Sequence, residues 1–223
     1  MPKPDAASPH PTYQREPLWH VQIAVVVALG LQLLLPDRFI SGPKYVLVVL
    51  EALLLGGLVY STPKVPIFES VARRVNAVSL IALISIVNMY GLERVAQELL
   101  AGGRITNGGQ LILAAINIYL TNVILFALWY WELDGGGPGR RLGRPHHRRD
   151  FLFPQMATPQ LAVEGWRPTF FDFLYVSSTN AMAFSPTDTM PLSRRAKLLM
   201  MVQSAVSLVA IALVAARAVN ILR

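Results

Sequence analysis

Apolar residues in this chain are gathered into long blocks rather than spread at amphipathic intervals. Five blocks stand out, at about 19–35, 45–61, 75–92, 110–131 and 197–220. Each is near or above the roughly 17 residues that a helix needs to cross the hydrocarbon core of a bilayer. The first two are minimal and fit a tight helical hairpin, closed by "PDRFISGPK", as well as they fit two spans. Pro36, Pro43 and Pro63 punctuate the early turns. Trp19 and the run Trp129-Tyr130-Trp131 sit at block ends, where amphipathic rings settle at headgroup level. "ESVARRVNAVSLIALISIVNMYGLERVAQELLAGG" reads as one long helix whose tail, Glu93 to Leu100, is expected to lie in the interface.

A basic linker, "ELDGGGPGRRLGRPHHRRD", follows the fourth block. Then "WRPTFFDFLYVSSTNAMA" predicts a helix from a Thr169 cap to Ala183. At ~1.5 Å per residue it is only about 22 Å long, too short to cross. Pro186 removes an N–H and forces Ser185 extended, which stops the helix. "FSPTDTMP" is expected to run extended into the last and longest block. Irregular backbone at membrane depth survives only where protein buries it or water lines it, so the short helix is expected to be re-entrant. The predicted fold class is an all-α integral membrane protein of about five transmembrane helices. A re-entrant pore-type helix lies between the fourth and fifth. Three regions follow: a disordered tail (1–18), a three-helix membrane region (19–105) and a module of fourth span, linker, short helix and fifth span (106–223).

Composition agrees: 53% of the 223 residues are hydrophobic and 15% charged, against roughly 25% charged in a soluble domain. The absence of cysteine excludes disulfides, thiolate catalysis and cysteine-ligated metal. The net charge of +7 lies in loops beside the apolar blocks, which favours anionic lipid headgroups at the basic linker over nucleic acid. The linker glycines lack the preceding strand and the Lys-Ser/Thr of a phosphate loop. No Ser-His-Asp, HExxH or GxSxG pattern is present, so no enzyme, cofactor or metal is expected; His146-His147 has no carboxylate cluster beside it.

"DFLYVSSTNAMAFSPTDTMPLSRRAKLL" with the long helix after it resembles the pore helix, filter and inner helix of the potassium-channel superfamily. The fourth span matches the outer helix. Laid on without gaps, Asp172, Tyr175 and Ser177 match the usual start of the pore helix, Asp188 the acid after the filter, Pro191 the proline beyond it and Ala196 the early inner helix. The likeness covers roughly half the chain, from about 110 to 222. The layout of five spans with "FALWYW" and a late "LYVSST…F…TD" is also similar to a group of uncharacterised bacterial membrane proteins. The filter positions would be Ala183, Phe184, Ser185, Pro186 and Thr187. A potassium filter needs glycines at unusual backbone angles, and here there are none, with proline at the central position. What the resemblance implies is an oligomer, tetrameric if channel-like, passing monovalent cations with little discrimination past Ser185, Thr187 and Asp188.

Several residues carry two readings each. Asp188 is either a ring carboxylate at a pore mouth or part of a tight "SPTD" turn. Glu51, in "LVVLEALLLGG", is an acid well inside a span: a proton relay, ion ligand or carrier site with Arg217 as possible partner, or a snorkelling side chain. Asn117 and Thr121 share a helix face, as do Gln203 and Ser207. Gln203 and Ser207 either line a pore or hydrogen-bond across helices. Ala212 and Ala216 suggest close packing of the last helix. Potassium channels carry the loop outside, whereas here fourteen Lys and Arg residues fall on the linker side against six opposite, which puts the N-terminus and linker in the cytoplasm. Ionotropic glutamate receptors use an inverted pore of this kind.

Overall fold

The computed structural model describes residues 18–36, 39, 44–60, 71–100, 108–141, 149–183 and 188–221. All five apolar blocks are helical: α1 (Trp19–Leu34), α2 (Lys44–Tyr60), α3 (Val71–Leu100), α4 (Gly108–Leu133) and, last in the chain, α8 (Arg194–Ile221). Among the described residues, three helices are long and apolar enough to cross a membrane: Val71–Leu100, Gly109–Gly136 and Arg194–Val219. The first two are shorter, at 16 and 17 residues. Between α4 and α8 lie two one-turn helices, α5 (Pro138–Arg141) and α6 (Pro154–Ala157), and the 14-residue α7 (Phe170–Ala183). Two short strands, β1 (Phe151–Leu152) and β2 (Met190–Pro191), pair antiparallel with Phe151 opposite Pro191.

Local chemistry sets the helix ends. Leu35 is extended (φ −70°, ψ 132°) because the ring of Pro36 excludes the helical conformation from the residue before it, and α1 stops there. The chain leaves α4 through Gly135, Gly136 and Gly137, all at positive φ (62°, 89° and 104°), a backbone that side chains rarely tolerate. α7 begins with a side-chain cap supplied by Asp172. The Asp172 carboxylate accepts from the backbone N–H of Thr169 at 2.7 Å and from its hydroxyl at 2.8 Å, while the Thr169 carbonyl accepts the first helical bond.

α4 is the axis of the bundle, packed against α1, α3, α7 and α8. Its apolar window is 61% buried, against 28% for α8, so α4 is an interior helix and α8 a peripheral one. Apolar side chains at intervals of three and four carry α3 onto its neighbours: Ala77, Leu80, Ile81, Ile84, Val87, Leu92 and Val95 are all buried. The helix continues without a break through Glu93 to Leu100, and Leu92 and Val95 belong to a core cluster with Leu111 and Ile118. At Gly91 an added Cβ would meet a Leu35 methyl at 3.3 Å and the Phe39 carbonyl at 3.4 Å, so glycine permits the close approach of the α1–α2 connection.

Aromatic rings organise the other end of the bundle. Phe151 lies 5.1 Å from Tyr130 and 6.1 Å from Phe173 between ring centroids, and Phe153 is edge-on to Phe173 at 5.3 Å. Tyr130 and Trp131, at the end of α4, are fully or nearly fully buried at 0% and 3% exposure. Their rings are covered by Phe151, Phe170 and the Arg141 guanidinium. The outward faces are apolar, as Ile23, Val26, Leu113, Ile116, Leu208 and Val209 show.

Candidate functional site

The junction of α4, α7 and α8 holds the densest set of buried polar side chains. Gln203, on α8, has no exposed surface. Its Oε1 accepts from the Tyr130 hydroxyl of α4 and from Asn180 Nδ2 of α7 at 2.8 Å. Its Nε2 donates to the carbonyl and the hydroxyl of Ser177 at 2.9 and 2.6 Å. Ser177 donates to the Val123 carbonyl on α4 at 2.6 Å, and Asn180 to the Met200 carbonyl on α8 at 3.0 Å. One turn on, Asn122 donates to Ser207 at 3.0 Å, and Ser204 donates to Asn180 at 3.3 Å. Gln203 and Ser207 thus face α7 and α4, and their polar atoms are used within the chain.

The described residues on either side of this junction are placed by three contacts. Phe170 stands against Trp131 near the end of α4, at 6.4 Å between ring centroids. Seven residues on, Ser177 reaches Val123, ten residues back from Leu133, which is ~15 Å along α4. By Met190–Pro191 the chain is back beside β1 and the ring of Phe151, at the end where α7 began. Of the filter positions, Phe184, Ser185, Pro186 and Thr187 lie outside the described residues, as does the side chain of Ala183. Asp188 is exposed, and the Thr189 hydroxyl donates to its carboxylate at 3.4 Å.

A second cluster closes the same end. Asp134 is fully buried, and its carboxylate meets Arg149 at 3.2 Å and Arg141 at 3.8 Å. The backbone N–H groups of Asp150 and Phe151 donate to it at 2.9 and 3.2 Å. Asp150 in turn accepts from Gly135 N at 3.1 Å and pairs with Arg195 at 3.4 Å. The Arg141 guanidinium lies over the Trp131 and Phe173 rings, 5.6 and 4.9 Å from their centroids. Two of the five linker arginines therefore turn inward onto Asp134, and Arg140 is exposed. The cluster fixes both flanks of the linker to α4, α7 and α8.

Glu51 forms a third, separate position. It is fully buried on α2, and its Oε1 accepts from Gln32 Nε2 of α1 at 3.3 Å; Oε2 has no hydrogen bond. No ion pair joins it to Arg217 among the described residues. Asn117 donates to the Leu31 carbonyl of α1 at 2.7 Å, Thr121 is buried on α4, and Ala212 and Ala216 face outward. Tyr130, Asn180 and Asn122 were missed as members of the α4–α7–α8 junction. The signal for Asn180 is present in the sequence: Phe173, Ser177 and Asn180 fall on one face of a helix. For Tyr130 the belt reading of aromatic residues masked it.

The chain matches no protein-family model, no curated protein and no solved structure.

Proposed function

We propose that the chain is a multi-pass protein of the cell membrane whose α4–α7–α8 unit is a pore-type module. Several copies together would form a weakly selective pathway for monovalent cations. One observation carries the reading: a helix too short to span descends between two spanning-length helices, is clasped by Gln203, and the chain returns to the end where it began. A backbone of that shape is tolerated in a bilayer only inside protein or beside water. Asp188 supplies an exposed carboxylate on the returning limb. Flux of monovalent cations into liposomes tests it. Flux whose cation preference changes with Asp188→Asn supports the pathway. A folded, oligomeric preparation that leaks no more than empty vesicles rules conduction out.

A second reading, a non-conducting structural or accessory membrane protein, is favoured by a different observation. Gln203 and Ser207 are bonded within one chain, and the outward face of α8 is apolar at Leu198, Met201, Val202 and Leu208. On that reading the short helix plugs its own bundle, and the flux experiment gives the null result. A carrier working through Glu51 predicts flux that Glu51→Gln abolishes and Asp188→Asn leaves alone.

A further inference from the structure

Between β1 and α7 the chain makes a compact excursion through α6, a single 3-10 turn (Pro159–Leu161) and a turn at Gly165, whose φ is +74°. Six backbone N–H groups from Met156 to Trp166 donate to carbonyls between Phe153 and Val163, so much of this backbone is satisfied within the segment. Rings fasten it to the bundle: Trp166 lies 5.8 Å from Phe153, which is edge-on to Phe173 of α7. From Phe151 to Trp166 the sequence holds one charged residue, Glu164. Leu161 and Val163 are 88% and 79% exposed. Neither belongs to a long helix, so a lipid-facing helix surface does not account for them.

We infer that this excursion is an interfacial anchor, with Leu161 and Val163 set into the headgroup–acyl boundary of an anionic bilayer, the one that the long helices cross. Three observations combine. The first is position. Phe170 stands against Trp131 near the end of α4, so the start of α7 and the rings packed on it lie where a spanning-length helix gives out. Leu161 is five residues from Trp166 and therefore at most about 18 Å from that fastening. The second is the internally bonded backbone, which lowers the cost of leaving water while two branched apolar side chains gain by it. The third is charge. Arg194 and Lys197, in the first turn of α8, are exposed, and Arg195 between them pairs with Asp150, the residue before β1. Cations at that end attract anionic headgroups to the level of the excursion. The inference rests on the reading of the chain as a membrane protein and is independent of whether the α4–α7–α8 module conducts.

The test uses nitroxide spin labels on the full, otherwise cysteine-free chain in vesicles containing phosphatidylglycerol. Collisions with oxygen, which enters the acyl region, are compared with collisions with a neutral nickel chelate, which stays in water. The oxygen-to-nickel ratio at Val163→Cys is expected to be at least roughly threefold above that at Arg140→Cys on the exposed linker flank. It should fall below the ratio at Leu208→Cys on the outward face of α8. Adding Leu161→Asp, at an exposed position, should bring the Val163 ratio down to the Arg140 level. Vesicles of phosphatidylcholine alone should lower the Val163 ratio. A Val163 ratio equal to that of Arg140 would place the excursion in water and overturn the anchor. Few collisions with either probe would mean that a second copy or another protein covers it, which overturns the anchor too. No response to Leu161→Asp, or equal ratios in the two kinds of vesicle, would also overturn it. A Leu208 label that reads water would overturn the membrane reading itself, and the anchor with it.

Discussion

The Tyr130 hydroxyl donates to Gln203 Oε1 in the buried centre of the α4–α7–α8 junction, joining two spanning-length helices 73 positions apart in sequence. The same oxygen accepts from Asn180, so one amide ties three helices together. Tyr130→Phe removes one donor and leaves Gln203 its remaining bonds. Gln203→Leu strands the Tyr130 hydroxyl and also removes the bonds to Asn180 and Ser177, which keep their bonds to the Met200 and Val123 carbonyls. Hydrogen bonds inside membrane bundles average only about 0.6 kcal/mol, with a maximum near 1.7, whereas each stranded buried group costs about 1–3 kcal/mol. Tyr130→Phe is therefore expected to lower stability by under about 1 kcal/mol and Gln203→Leu by about 1–3 kcal/mol. Unfolding of the purified variants by titration with sodium dodecyl sulfate gives the comparison; equal losses would show that the network does not work as a unit.

Asp134 pairs with two buried guanidinium groups and accepts two backbone N–H bonds. Removing one partner of such a buried cluster costs roughly 3–5 kcal/mol. Asp134→Ala is expected to release Arg141 and Arg149 from the interior. Trypsin should then cut after these two arginines several times faster than in the wild type, while the spanning helices remain intact. Asp150→Ala, whose partner Arg195 is 69% exposed, should have the smaller effect, since an exposed pair contributes about 0–1 kcal/mol. Cleavage rates that rank the other way would place the anchor on Asp150.

How much of this was legible in the sequence depends on which force decided each element. The five apolar blocks are helices because hydrophobicity over 16 or more residues is a local property, and the end of α1 at Leu35 follows from Pro36 alone. The start of α7 was legible for the same reason: Thr169 and Asp172 are three apart, and both Thr169 donors reach the Asp172 carboxylate without help from elsewhere. What was not legible came from pairing at long range. Asp134 reads as a loop acid until Arg149 and the N–H groups of Asp150 and Phe151 close on it from across the linker. Tyr130 reads as a belt residue until Phe151 and Gln203 close on it from distant parts of the chain. The β1–β2 pair is two residues long, below what strand periodicity can signal.

The cap on α7 is worth testing alone because it is local. Asp172→Ala removes both bonds to Thr169 and is expected to cost about 1 kcal/mol, the usual loss for a helix N-terminal cap. Asp172→Asn keeps an acceptor and should recover most of it. Hydrogen exchange at the first turn of α7 reports the change; protection at Phe173 that is unaltered by Asp172→Ala would mean that packing against α4, not the cap, sets the helix start.

Arg74, Arg141, Arg149 and Arg195 are joined by ion pairs to Glu132, Asp134 and Asp150, so these basic residues gather at the end of α4 near Leu133. The charge bias of the chain favours that end on the cytoplasmic side. Because the protein has no cysteine, a single Arg140→Cys gives one label site on the exposed linker flank. An impermeant maleimide is expected to react with it in inverted vesicles and not in intact cells. Labelling in intact cells would reverse the topology.

The Gln32–Glu51 pair offers a test of whether the buried carboxyl is structural or functional. Glu51 Oε1 depends on Gln32 Nε2, and Oε2 has no hydrogen bond. Gln32→Leu leaves both oxygens without a donor and is expected to cost about 1–3 kcal/mol. Replacing both partners with Leu removes the polar atoms together, and the double variant should recover most of that loss, because an apolar pair of similar shape replaces a buried polar one. Glu51→Gln keeps an acceptor for Gln32, removes the ionisable group and should fold as the wild type does. Detergent unfolding curves of the four proteins provide the comparison. If the double variant is as stable as the wild type, the fold does not need Glu51, and any loss of cation flux in Glu51→Gln then reflects a role for the carboxyl in transport. If the double variant is less stable than Gln32→Leu, the pair is a structural fastening between α1 and α2.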